Sequence, residues 1–146
     1  MEMIKSKPVP TWRPGRRLGF EVHCCPVGRK SGTGIEKDLF LLQADSSNTP
    51  IDRDTVYCNW VRMQLEKDDA TSVIDANLFG FRLVRQSRST QEINGQRVPR
   101  QLTRPQAIIR GELIVNSPAK FTDILARGIG RHRAFGYGTV LLRPSS

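Results

Sequence analysis

The order of periodicities along this chain predicts an α+β domain of the ferredoxin-like kind, βαββαβ, with a four-stranded antiparallel sheet and two helices on one face. Three observations predict it. Apolar and polar residues alternate over residues 16–27, 77–85 and 106–115, and a last apolar run covers 139–143. Two stretches of helical spacing separate the first strand from the second and the third from the fourth. Between the middle strands stands Asn94-Gly95, and a type I′ hairpin turn needs positive φ at both of its central residues.

Residues 1–15 carry three prolines and little periodicity, so they read as a linker-like N-terminal arm; the domain is expected over 16–146. The first strand sets Leu18, Phe20, Val22 and Cys24 on one face and Arg17, Gly19, Glu21 and His23 on the other. Residues 28–34 read as a basic turn, and 35–50 as a short apolar patch followed by a polar loop. Asp52 or Asp54 caps a helix over about residues 52–67, whose stripe is Val56, Tyr57, Trp60, Val61 and Leu65. The second strand points Phe79, Phe81 and Leu83 inward and Arg82 outward. Its continuation through residue 104 is a long hairpin with almost no apolar face, on which Arg85, Arg88, Arg97, Arg100 and Arg104 ride; Pro99 suits an edge. Ile109, Leu113 and Val115 mark the inner face of the third strand. Asn116-Ser117-Pro118 starts the second helix, which carries Phe121, Ile124 and Leu125 and stops at Gly128.

At 146 residues the chain suits one domain with its own core. No apolar run approaches the roughly 20 residues of a membrane helix, and the first residues have no apolar signal region, so neither a membrane span nor a signal peptide is expected. Cys24, Cys25 and Cys58 are an odd set without CxxC spacing, so neither a disulfide framework nor a zinc site is expected; they fit a cytoplasmic protein in a reducing compartment and read as small core-filling residues. No Asp/Glu/His cluster suggests a metal, and no cofactor is expected.

Charge is distributed unevenly. Residues 1–81 hold 11 basic and 11 acidic residues, while 82–146 hold 12 basic residues against Glu92, Glu112 and Asp123, so the whole net charge of +9 belongs to the second part. All but Lys120 of those twelve are arginine, whose planar fork of donors suits phosphate and guanine edges. A polyanion is the natural partner, nucleic acid ahead of an acidic protein; a generic solvated basic surface is the plainer alternative.

Residues 128–138 bring together Gly128, Gly130, Gly136 and Gly138 with Arg131, His132, Arg133, Phe135 and Tyr137. Glycines let a phosphate approach backbone N–H groups, and the arginines add charge. The segment is neither a Walker loop nor a dinucleotide fingerprint, because it leads into a strand rather than a helix. A purely structural turn is the competing reading.

This pattern, Gly-hydrophobic-Gly, five residues, Gly-hydrophobic-Gly, resembles the C-terminal glycine-rich loop of the RAMP superfamily of CRISPR-associated proteins. More narrowly, the run from Leu125 through Gly138, followed by Leu141-Leu142-Arg143-Pro144, is similar to the end of the CasE proteins, the crRNA-processing subunits of type I-E Cascade complexes. Trp12-Arg13-Pro14-Gly15, Gly19-Phe20-Glu21-Val22 before Cys25-Pro26-Val27, the Trp60 helix and Gly111-Glu112-Leu113 extend the resemblance along essentially the whole chain.

The resemblance implies the C-terminal one of two tandem ferredoxin-like domains. It implies a metal-independent endoribonuclease that cuts CRISPR repeat RNA 3′ of a stem-loop through the ribose 2′-OH, leaving a 2′,3′-cyclic phosphate and then holding the crRNA hairpin. Its partners would be that RNA, other Cascade subunits and an N-terminal CasE-like domain, which in the family carries the catalytic histidine and a neighbouring tyrosine. Binding therefore carries over more readily than cutting. From charge and position alone, the RNA-binding candidates are Arg85, Arg88, Arg97, Arg100, Arg104, Arg131, His132 and Arg133. His132 is the weak catalytic candidate, and His23 a weaker one. Rival functions are a stand-alone RNA-binding module of the RRM type, which needs aromatics on the exposed sheet face, a non-catalytic structural subunit of a ribonucleoprotein, and an enzyme completed by a separate N-terminal chain.

Overall fold

The computed structural model describes residues 12–30, 32, 34–93 and 96–145, with backbone alone for 86–93 and 96–102. Its elements are β1 (Arg17–Cys24), β2 (Val27–Arg29), β3 (Glu36–Asp38), α1 (Leu39–Ser46), α2 (Arg53–Leu65), β4 (Thr71–Ile93), β5 (Gln96–Val115), α3 (Pro118–Arg127) and β6 (Val140–Pro144). The main sheet is antiparallel in the order β4-β5-β1-β6. With α2 and α3 as the two crossovers, this is the expected ferredoxin-like βαββαβ order.

One face of the sheet is dry. Phe20, Val22, Ile109, Leu113 and Val115 meet Tyr57, Val61 and Leu65 of α2 and Phe121 of α3, all with no exposed surface. These are the residues whose alternation and helical spacing mark them in the sequence. Local signals set the helix ends. Asp52 accepts the Thr55 amide at 2.8 Å to cap α2, Ser117 caps α3 with Pro118 in its first turn, and Gly128 ends it with φ +73°. Arg13–Arg16 and Trp12, at the end of the expected arm, lie against the domain: Gly15 N–H donates to the Val115 carbonyl at 2.6 Å, and Trp12 meets Phe121 edge-on at 6.1 Å. Among the described residues no helix is long and apolar enough to cross a membrane.

Several expectations need correction. The first strand ends at Cys24; Cys25-Pro26 turns the chain, and β2 pairs with β3 in a separate two-stranded ribbon. Residues 39–46, expected as an apolar patch entering a loop, form α1. Four consecutive apolar residues hide the helical period there. The start signal is Asp38, whose carboxylate accepts the Phe40 amide at 2.9 Å and the Tyr57 hydroxyl at 2.7 Å. β4 begins at Thr71, six residues before the alternation becomes visible. A bulge between Val73 and Asp75 disturbs the pattern. The backbone freed there is satisfied by α2: Val73 N–H donates to Glu66 and its carbonyl accepts from Arg62, both at 2.8 Å.

Phe79 and Leu83 do not point into the core. A second bulge, between Leu78 and Gly80, turns Phe79 onto the open face, where it is 60% exposed with the Arg110 guanidinium 4.7 Å from its ring centre. Phe81 keeps the inner side, 5.9 Å from Tyr57, yet is partly exposed. Leu83 is exposed because β1 pairs with β5 only as far as Ala107, and the core layer ends there. Beyond that point β4 and β5 pair with each other alone, down to Ile93 opposite Gln96. The long hairpin is thus present. Its Asn94-Gly95 turn lies outside the described residues.

Candidate nucleic-acid interface

The glycine segment is a loop closed on itself and clamped to the sheet. Ile129 N–H donates to the Gly138 carbonyl at 2.9 Å, and Gly138 N–H donates to the His23 carbonyl on β1 at 2.7 Å. Gly128, Gly130, Gly136 and Gly138 all have φ between +73° and +92°, and His132 joins them at +64°. Two of the glycines are also sites of close approach. A Cβ on Gly138 would meet the Ile129 oxygen at 2.2 Å, and one on Gly130 would meet the Trp60 ring at 2.6 Å. Trp60 is therefore the half-buried floor under the loop, as its place in the α2 stripe suggests.

Glu36 of β3 is the hub beside this loop. Its carboxylate is 2.8 Å from His132 Nε2 and 3.9 Å from Arg104 Nε. Phe135, 62% exposed, covers the pair, its ring centre 6.3 Å from the imidazole and 6.0 Å from the Arg104 guanidinium. Arg104, expected on an exposed ribbon, is 8% exposed: the glycine loop and β3 close over the root of the hairpin at that position. His132 keeps only 16% of its side chain exposed.

Other cations are left open. Arg127 at the end of α3, Lys67 just past α2, and Arg133 line a cavity of about 200 Å³ under Gly128–Gly130. Arg133 donates to the Arg127 backbone carbonyl, which ties its guanidinium to the end of α3. Arg131 and Arg85 are exposed. Among the described residues Lys67, Arg82, Arg85, Arg127, Arg131 and Arg133 have no carboxylate within 4.0 Å, whereas Arg17, Arg53, Arg104 and Arg110 each have one. The side chains of Arg88, Arg97 and Arg100 lie outside the described residues; the backbone register sets Arg88 opposite Arg100.

The sequence-derived set therefore divides. Gly128, Gly130, Gly136, Gly138, Arg131, His132 and Arg133 share one loop, and Arg104 joins them through Glu36. Arg85 lies out along β4, opposite Thr103. Sequence reading missed Lys67, Arg127 and Glu36, because nothing in their local pattern distinguishes them from solvated helix-end and turn charges. It also missed a groove on the open face between the hairpin root and the loop, lined by His23, Arg82, Gln106, Ile108 and Tyr137. The Gly-Tyr-Gly spacing and the outward Arg82 were the available hints.

The three buried thiols show no sign of reactivity. Burial pushes Cys24 up to about 12, Cys25 to about 11 and Cys58 to about 12. They fill space, as expected.

Comparison with known proteins adds the following. A family model described as CRISPR associated protein matches residues 1–144. No curated protein sequence matches the chain. Among solved structures, CRISPR endoribonuclease Cse3 bound to a 19-nucleotide RNA is similar with a TM-score of 0.71 at 20% identity, over 95% of this chain and 61% of that one. Thermus thermophilus Cse3, bound to an RNA representing a pre-cleavage complex, gives 0.63 at 20% identity, over 93% and 57%. Cas6e from Escherichia coli str. K-12 gives 0.58 at 18%, over 97% and 68%. The chain thus spans 61% and 57% of the first two of these proteins. At such identities the likeness concerns the fold alone. The match to nearly the whole length decides the affiliation: this chain belongs to the CRISPR-associated protein family.

Proposed function

We propose that this chain grips the stem-loop of CRISPR repeat RNA, as the C-terminal part of a CasE-type endoribonuclease that processes pre-crRNA and stays on the crRNA within a Cascade complex in the cytoplasm. One observation carries the reading: among the described residues Lys67, Arg127, Arg131 and Arg133 come together at and beside the glycine loop with no carboxylate within 4.0 Å, next to Arg104, which Glu36 pairs. Desolvating a cation without an anion is unfavourable, so an open cluster of them is matched to an anion supplied from outside. A-form RNA offers phosphates and 2′-hydroxyls, its bases lying in a groove too deep and narrow to read. The ribbon would lie along the stem and the loop arginines at its foot. The solved Cse3 structures with RNA bound support the same choice of partner.

Cutting depends on groups outside this set. Attack by a 2′-OH needs a general base within reach of the nucleophile. His132 is engaged by Glu36 and largely covered, which favours binding without cleavage by this chain alone. The family resemblance assigns the catalytic histidine to an N-terminal domain, supplied within one chain or by a partner. A non-catalytic RNA-holding subunit is the second reading, favoured by the same engagement of His132.

Fluorescence anisotropy with a CRISPR-repeat stem-loop tests the proposal. Replacing Arg131 and Arg133 by alanine should weaken binding by at least about tenfold and lower the salt dependence by about two phosphates. Unchanged affinity and slope, or equal affinity for an unstructured RNA of the same length and composition, would refute it.

A further inference from the structure

We propose that the groove at the root of the hairpin holds one unpaired nucleobase, at the point where a strand leaves the foot of the stem. This rests on the RNA reading above and adds a second kind of contact to it, with a base rather than a phosphate.

The groove is a cavity of about 410 Å³ on the open face of the sheet, lined by His23, Gly80, Arg82, Gln106, Ile108 and Tyr137. Its size falls in the range of pockets that enclose small planar ligands. Ile108 supplies an apolar floor. The floor stays open because position 80 has no side chain; a Cβ there would stand 3.3 Å from the Ile108 Cδ1. The imidazole of His23 and the phenol of Tyr137 provide aromatic surfaces. His23 is fixed by Glu21, 2.8 Å from its Nε2, and Glu21 also receives Arg110 at 2.5 Å.

The polar rim is directional. Arg82 Nε donates to Gln106 Oε1 at 2.9 Å, and Gln106 Nε2 donates to the Tyr137 hydroxyl. Each end of the Gln106 amide thus holds one neighbour. The hydrogens left for a ligand are the second N–H of Gln106, the Tyr137 hydroxyl proton and the Nη groups of Arg82, so the rim is mainly donating. A planar heterocycle that stacks on aromatic rings and shows acceptors at its edge fits this rim. Guanine does so through O6 and N7, which an arginine fork binds at two points.

Location supports an unpaired base over a paired one. Gln106 directly precedes Ala107, where β1 stops pairing with β5 and the hairpin leaves the sheet. The groove therefore lies between the ribbon assigned to the stem and the loop assigned to its foot. Bases inside the stem are out of reach, whereas the first nucleotide beyond it is free to turn in.

The experiment uses the full chain and fluorescence anisotropy at one fixed salt concentration. The RNAs are a blunt stem-loop and the same stem carrying one extra unpaired guanine, adenine or abasic nucleotide at each strand end in turn. At one of the two ends guanine should bind about tenfold more tightly than the abasic RNA and more tightly than adenine. In Gly80→Leu, which fills the floor, and in Gln106→Ala, which releases Tyr137 and Arg82, that ratio should fall to about one. Equal affinity of guanine, adenine and abasic RNAs for the unmodified chain overturns the pocket. So does a ratio that survives in both variants. Loss of binding to every RNA, the blunt stem included, would instead bring down the RNA reading itself.

Discussion

The glycine loop and the arginine ribbon carry similar charge in opposite structural settings. The loop is over-determined. Its ends are bonded to each other and to β1, Trp60 fills the space beneath Gly130, and Glu36 ties His132 and Arg104 into one knot. The ribbon has one strand neighbour on each side of its hairpin: past Ala107, β4 and β5 have only each other as sheet partners. A lone two-stranded hairpin is marginal in water, and its register sets Arg88 against Arg100, where like charges at opposed positions are unfavourable. The loop holds its groups pre-arranged, whereas under the proposed function the ribbon would gain its full stabilisation from RNA.

The largest effect is expected from replacing Arg88, Arg97 and Arg100 together with alanine. Stem-loop affinity should fall by at least about tenfold and the salt slope by about two to three, while the urea midpoint of the free protein stays the same or rises. A lowered midpoint with unchanged RNA affinity would reverse the assignment of roles.

The loop should behave in the opposite way. Gly138→Ala combines a φ of +91° with a Cβ at 2.2 Å from the Ile129 oxygen, so it should cost more than about 2 kcal/mol in urea unfolding. Gly136→Ala has φ +92° but nothing within 4 Å, so about 1 kcal/mol is expected. Equal costs would mean that close packing of the loop contributes nothing beyond backbone strain.

The smallest effect concerns the open face between the two regions. Hydrogen bonds from His23 and then Arg110 hold the Glu21 carboxyl below its ordinary value of 4.5. The folded form thus favours the ionised group. Its contribution is complete above about pH 4.5 and is lost as the pH falls through the depressed folded value. Glu21→Gln should remove under about 1 kcal/mol at neutral pH and flatten the acid side of the stability curve. An unaltered acid limb in unfolding titrations would show that the group is not coupled to folding.

Much of the fold was legible because a side chain's face follows from simple counting. The inner residues of β1 and β5, the caps at Asp52 and Ser117 and the stop at Gly128 all obeyed local rules. Misreadings occurred where a neighbour changed the count. The bulge before Gly80 turned Phe79 outward, and α1 was concealed because its apolar residues are consecutive rather than spaced. The candidate site was legible as a set of residue types and not as a geometry. Arg104 looked equivalent to its neighbours on the ribbon, yet a carboxylate 68 positions earlier in the chain claims it.

The amino-acid order alone determined that this chain makes a two-layer α+β domain, that its positive charge belongs to its second part, and that a glycine-rich turn precedes the last strand. Those properties depend on neighbours a few positions apart, where propensity, periodicity and capping operate. Only the tertiary structure decided which arginines meet carboxylates and which are left for an anion, and that Tyr137, Gln106 and Arg82 enclose a groove. Such pairings join groups tens of residues apart, and their energies depend on distances that the chain acquires only when the sheet has closed.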